Sequence, residues 1–328
     1  MGVVRDLDRI GIDELAADSA AYDGLVARAH YLDAFCSSSD WVLPAHTALM
    51  PPREPWLFRG EGGFVAMATG THARGFRYAE PLEAAWGLAC PVIGVGARAF
   101  AKLCAVESES DVLLIGGVLD GSPFAAEIAR ELGRRFALQR GTTTTRHVAS
   151  LAGGVDGFLS RRSRSLRRGV RRAVGRVADA GIRFETAPSA AVAAVPALYA
   201  RVLDVEARTW KGIAGVGIAE GGMRPFYASM AERLAARGAL RLTFARRDDR
   251  DVGYILGGVF GDGYRGLQFG YDAELRHLGL GHACQFHQIE ALCREGVQTY
   301  DLGTTGGDYK RRWAETEIAS SFVLAVRA

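Results

Sequence analysis

Arg276, Gly279 and Gly281 stand in the spacing R-x-x-G-x-G within GYDAELRHLGLGHACQFHQIEALCREG, residues 270–296. An apolar, strand-like run lies before the motif and an amphipathic run after it, so the glycines open a helix. The first N–H groups of a helix have no intrahelical acceptor, and the helix dipole favours negative charge at the same point. Glycine allows close approach to the backbone, and an arginine adds a charge-assisted contact. The chemistry expected of Arg276, Leu278, Gly279, Leu280 and Gly281 is therefore the holding of a phosphate or pyrophosphate. His277 and His282 flank the glycines, with His282 the one placed to reach an anion. A P-loop would need Gly-Lys-Ser/Thr where this chain has Gly281-His282-Ala283. A dinucleotide fingerprint would need a third glycine and parallel strands.

The chain has 328 residues, enough for two domains that each bury a core. A net charge of +3 demands neither a nucleic-acid nor a membrane partner. The opening MGVVRDLDRIGIDEL has no apolar signal core, and the apolar window 86–106 is interrupted by Pro91, Arg98 and Lys102, which argues against a membrane span. Cys36, Cys90, Cys104, Cys284 and Cys293 are scattered without metal-ligand spacing. They read as reduced core thiols in a cytoplasmic protein, and no metal site is expected. Only three of the 40 basic residues are lysines: Lys102, Lys211 and Lys310.

The elements that must position the turn read most clearly in the second half. Helical spacing covers 190–209 and 222–237. Alternation then predicts strands at 240–246, 252–260 and 265–271, the last two joined by a hairpin turn. The helix after the glycine turn presents Ala283, Phe286, Ile289, Leu292 and Cys293 and stops at Gly296. Strands follow at 297–303 and 321–326. The first half is a blurred copy, with a hairpin across Gly60–Gly63, a helix over 97–105, a strand over 111–117 and a helix over 123–135. Its PVIGVGARAF contains G-x-G but has Pro91 where the arginine would stand. Two similar α+β (mixed α/β) domains are expected, 1–150 and 151–328, each a mostly antiparallel sheet flanked by helices. Between them LSRRSRSLRRGVRRAVGRVADAG (159–181) places Leu159, Leu166, Val170, Val174 and Val177 on one arc, with arginines on the other faces. Without interleaved aromatics, that stripe suits a phosphorylated ligand or anionic substrate better than nucleic acid.

Strand, YDAELRHLGLGHA, helix and strand together resemble motif A of the GNAT-type N-acyltransferases. The whole chain resembles their two-domain, FemAB-related branch of cellulose-biosynthesis-type acetyltransferases. SRSLRRGVRRAV, EARTWKGIAG (206–215) and DLGTTGGDYKRRW (301–313) carry that narrower likeness. Relatives tend to have Ser-Pro-Gly at the turn, where this chain has Gly279-Leu280-Gly281.

The resemblance implies that acetyl-CoA or another acyl-CoA is the co-substrate, its pyrophosphate at the turn and its pantetheine arm along Phe269, Gly270 and Tyr271. It implies acyl transfer to a primary amine of a small molecule, such as an amino sugar or amino-acid derivative. Tyr309 matches the tyrosine that protonates the leaving thiolate; its ordinary pKa of about 10 suits a thiol of about 8.5. Lys310 would neutralise a substrate phosphate or carboxylate, or polarise the thioester oxygen. Glu206, four residues before Trp210, is expected on the same helical face and is the candidate base, with Asp272 and Asp301 as rivals. Trp210 and Lys211 are expected on the acceptor side. The alternatives are a FemAB-like transfer from aminoacyl-tRNA to a peptidoglycan precursor, for which the arginine helix would suit tRNA, and a non-catalytic binding protein of the same fold.

Overall fold

A computed structural model of the chain describes residues 7–49, 51–304 and 307–327. Met1–Asp6, at the start of the opening stretch, and Thr305 and Gly306, in the 301–313 motif, lie outside the described residues. Two compact units emerge: Met1–Thr145 with Ile318–Ala328, and Arg146–Glu317. The division falls inside the strand Phe136–Ser150, five residues before the expected boundary, and the final strand Thr316–Arg327 returns to the first unit instead of completing the second. Alternation identifies a strand but carries no record of its partner, so sequence alone assigned that strand to its neighbour in the chain.

In the second unit the sheet order is Ile182–Thr186, Leu240–Arg247, Arg250–Phe260, Gly263–Tyr271, Thr299–Asp301 and the end of Phe136–Ser150. The first three steps are antiparallel, the step from Gly263–Tyr271 to Thr299–Asp301 is parallel, and the last is antiparallel again. Arg250–Phe260 has partners on both sides and reads as a nearly continuous buried run, as a central strand does. Its neighbouring residues face opposite ways: Gly253 meets Leu280, whereas Tyr254 meets Glu206. On the Gly253 side, Val177, Ala245, Leu280 and Ala283 form one apolar cluster, and Leu166, Val170, Ile289, Tyr300 and Trp313 belong to another.

The first unit repeats this order of pairings. Asp8–Ile10, Glu54–Gly60, Gly63–Thr71 and Arg77–Pro81 are antiparallel, Arg77–Pro81 runs parallel to Val112–Ile115, and Val323–Val326 closes the series. In its G-x-G, Gly94, at φ 71°, lies against the hairpin turn at Gly62 and Gly63, where a Cβ would strike that backbone, and Gly96 has open space at its Cβ position. Gly87 and Gly116 are covered by the Phe322 ring.

Two expected helices are divided. The 159–181 segment is a short helix Gly154–Ser160 followed by Arg164–Asp179, whose N-cap Ser163 accepts from the Leu166 N–H at 3.2 Å. Leu159 thus belongs to the earlier helix, and Ala173 replaces Val174 on the buried face. The 190–209 segment ends its helix at Glu206 and restarts as Trp210–Ile213, capped by Thr209. Among the described residues no helix is long and apolar enough to cross a membrane.

Candidate active site

Gly263, Tyr264 and Arg265 pair with Thr299, Tyr300 and Asp301, and beyond Arg265 the two strands have no further pairs. A parallel pair that parts leaves one backbone edge open, and here the gap is a cavity of about 440 Å³. Gly266–Tyr271 forms one wall, Tyr300, Leu302, Tyr309 and Lys310 another, with Gln285, Ile255 and Thr209–Lys211 closing it. Phe269, Gly270, Tyr271, Trp210, Lys211, Tyr309 and Lys310 are therefore brought together, as their sequence roles require.

The glycine turn sits beside this cavity without lining it. Gly279, at φ 76°, caps the helix Leu280–Arg294 in the left-handed region that favours glycine. A Cβ at Gly281 would stand 3.1 Å from the Tyr271 ring and 3.3 Å from the Phe269 ring, so the first helical turn backs directly onto the cavity wall. The N–H groups of His282 and Ala283 turn back to the Gly279 carbonyl, and those of Leu280 and Gly281 have no intrahelical acceptor. Leu280 itself is fully buried in the core, so only its backbone is available to a ligand, and Leu278 offers its carbonyl to Arg176. Arg276 is exposed on the short 3-10 helix Ala273–Leu278.

Arg176 was counted in sequence only as part of a charged stripe. Its Nε donates to the Leu278 carbonyl at 3.2 Å, and its guanidinium lies 3.1 Å from where a Gly279 Cβ would be. The arginine helix therefore sets a positive charge on the turn. Arg164, Arg168, Arg171 and Arg172 are also exposed and make no ion pair among the described residues. His282 stacks on Trp313 at 5.7 Å, and burial, then Arg312 and Arg176, hold its imidazole below the ordinary value.

Tyr309 lies on the helix Gly307–Trp313, its ring 6.1 Å from that of Phe269. Its Oη is buried and has no hydrogen-bond partner among the described residues. Burial pushes the phenol well up, and nearby Gln285 lowers it only in part. Gln285 accepts from the Tyr300 hydroxyl, which fixes its carbonyl end at the cavity. Lys310 donates to the Leu302 carbonyl, and burial lowers its ammonium to about 8. Asp301 binds Arg146 and Arg265 and accepts the Gly303 N–H at 2.7 Å, which makes it the organiser of the loop below Lys310.

Glu206 differs from its expected place. It is fully buried, does not line the cavity, and is separated by the helix break from Trp210, which is 67% exposed. Tyr254 donates to it at 2.7 Å, the Ile218 N–H at 3.3 Å, and the Lys211 ammonium stands 3.4 Å away. Lys211 also donates to Gln268 at 2.8 Å and to the Phe269 carbonyl at 3.2 Å, while Gln268 donates to Tyr227 at 2.9 Å. Burial lowers the Lys211 ammonium and Glu206 opposes that. The remaining candidate base, Asp272, caps the 3-10 helix and pairs with Arg250 and Arg208.

A central strand that parts from its parallel neighbour beside a glycine-opened helix can be compared with known folds. Residues 160–311 match the acetyltransferase (GNAT) domain family. This segment is a GNAT-type acyltransferase domain. The chain shares its fold with FemX at a TM-score of 0.67 and 12% identity, over 95% of this chain and 96% of that one. It is similar to a conserved protein of unknown function from Bacteroides thetaiotaomicron VPI-5482, with TM-score 0.65 and 10% identity over 95% and 97% of the two chains. It is also similar to the C-terminal domain of a putative lysylphosphatidylglycerol synthetase from Agrobacterium fabrum, with TM-score 0.59 and 13% identity over 94% and 91%. No curated protein matches significantly. At such identities these structures show the fold, a mixed α/β one whose mostly antiparallel sheet is flanked by helices.

Of the residues sequence reasoning missed, Gln285 had a signal: it follows Gly281 by four positions and so shares its helical face. Gln268, Tyr227 and Tyr254 had none, because two adjacent strands and the helix Met223–Ala236 meet only in the folded chain.

Proposed function

We propose that the cavity takes the pantetheine arm of acetyl-CoA or another acyl-CoA, and that the domain transfers the acyl group to a primary amine of a small molecule, such as an amino sugar or an amino-acid derivative. The observation that carries this reading is the parting of the strands after Arg265 and Asp301, beside a helix start with two free N–H groups and Arg176. The pyrophosphate would lie at Leu280 and Gly281, with Arg176 and Arg276 supplying charge.

In this reading the amine nitrogen attacks the thioester carbon, the C–S bond breaks, and the amine proton leaves to water. Tyr309 Oη supports the departing sulfur. Its raised proton affinity keeps it a donor across the working pH range, so its contribution is a hydrogen bond to the growing thiolate. The thiolate then takes its proton from solvent, and the phenol keeps its own throughout. Glu206 is not carried forward as the base, because its carboxylate is enclosed by Tyr254, Ile218 and Lys211.

Calorimetric titration with acetyl-CoA tests the reading, with Arg276→Glu and Gly281→Trp as controls. One-site binding lost in both variants is expected. No heat with acetyl-CoA, longer acyl-CoAs or free CoA overturns it. The exposed arginines of Arg164–Asp179 then favour the second reading, transfer from aminoacyl-tRNA, which the same protein would report by binding charged tRNA.

A further inference from the structure

Three of the large apolar side chains that stand exposed fall in one short segment: Trp210 at 67%, Ile213 at 71% and Val216 at 65%. Trp210 and Ile213 are three residues apart on one helical turn and so share a face. Their exposure is imposed by packing. Gly212 lies so close to the Glu206 carbonyl that a Cβ would collide with it, and Thr209 caps the turn by accepting the Gly212 N–H at 3.1 Å. Lys211 points inward to Glu206, and beyond Val216 the Ile218 N–H is held by the same carboxylate. A buried charge therefore fixes a segment whose outer face is apolar, whereas soluble chains seldom leave such a patch without an occupant.

The patch is continuous with the cavity, because Trp210 belongs to both. At that end Lys211 has its donors turned onto Gln268, the Phe269 carbonyl and Glu206, so no free charge awaits an anionic group. We propose that the acyl group transferred is a hydrocarbon chain well beyond acetyl, which leaves the cavity past Trp210 and lies over Ile213 and Val216. This inference rests on the acyl-CoA reading and narrows its donor.

The test is the affinity of the whole protein for free CoA and for acetyl-, hexanoyl- and decanoyl-CoA, in the native chain and in Ile213→Asp and Val216→Asp. Both substituted positions are solvent-exposed, so the fold is not at risk. Affinity should rise by about tenfold or more from acetyl- to decanoyl-CoA as methylenes leave water. Both variants should lose most of that gain while binding free CoA as the native chain does. Equal affinity for all acyl lengths with normal CoA binding overturns the chain-length inference and leaves the donor reading standing. A gain that survives both substitutions also overturns it. So does a flat profile in a protein whose self-association is abolished by Ile213→Asp, for then a second copy covers the patch. Failure to bind CoA in any form removes the donor reading, and this inference with it.

Discussion

Tyr254 Oη donates to Glu206 Oε2 at 2.7 Å, and the Lys211 ammonium stands 3.4 Å from Oε1 of the same carboxylate. Glu206 is fully buried, so its removal leaves the buried Tyr254 phenol without its acceptor and the largely buried Lys211 ammonium without its counter-charge. Glu206→Ala should lower stability by roughly 3 kcal/mol or more. The double variant Glu206→Ala/Lys211→Met should recover much of that, which denaturant titration of the three proteins will show.

Tyr309 Oη makes no hydrogen bond among the described residues, so Tyr309→Phe removes one oxygen and little packing. The expected result is an unchanged melting temperature, a near-constant KM for the donor and a fall in kcat of about 10²-fold. Continuous assay of released thiol measures it.

A side chain at Gly281 must displace the Tyr271 and Phe269 rings, which lie within 3.3 Å of its Cβ position. Gly281→Val should therefore weaken acyl-CoA binding by about tenfold or more through the cavity wall. Calorimetry with acetyl-CoA is the readout.

Lys310 titrates at about 8 because burial disfavours its charge, Asp301 opposing and Arg265 assisting. The unfolded chain holds this proton up to the ordinary lysine value of about 10.4, so over that window it binds more protons than the folded state. Stability should thus rise as pH increases from about 8 towards 10, and Lys310→Met should flatten the rise. Chemical denaturation of both proteins across that window checks the sign.

Arg176 contacts the turn through the Leu278 carbonyl and is exposed. Arg176→Glu should weaken acyl-CoA binding several-fold at low salt and less at high salt, since exposed charges are screened. Arg164→Glu, at the far end of the same helix, should change it much less.

The strands at 240–247, 250–260 and 263–271 were legible because each alternates or stays apolar between clear turns. The glycine turn that opens the helix Leu280–Arg294 was legible from the glycine spacing. The helix break after Glu206 was not, for Ala207 and Arg208 are good helix formers and Thr209 ends the run by capping the next turn. Glu206 was misplaced for a related reason: nothing local distinguishes a solvated glutamate from one enclosed by a tyrosine 48 positions away. Arg176 was legible as charge but not as position, since its contact to Leu278 spans 102 residues.

Val323–Val326 closes the first unit against Val112–Ile115, although the entire second unit lies between them in the chain. A ribosome therefore delivers the second half of that pairing roughly 200 residues after the first. The unit synthesised first is the last whose sheet can be completed, and Val112–Ile115 waits with an unpaired edge while the second unit emerges and folds. During that interval the nascent chain presents the kind of open strand that aggregation exploits and chaperones cover.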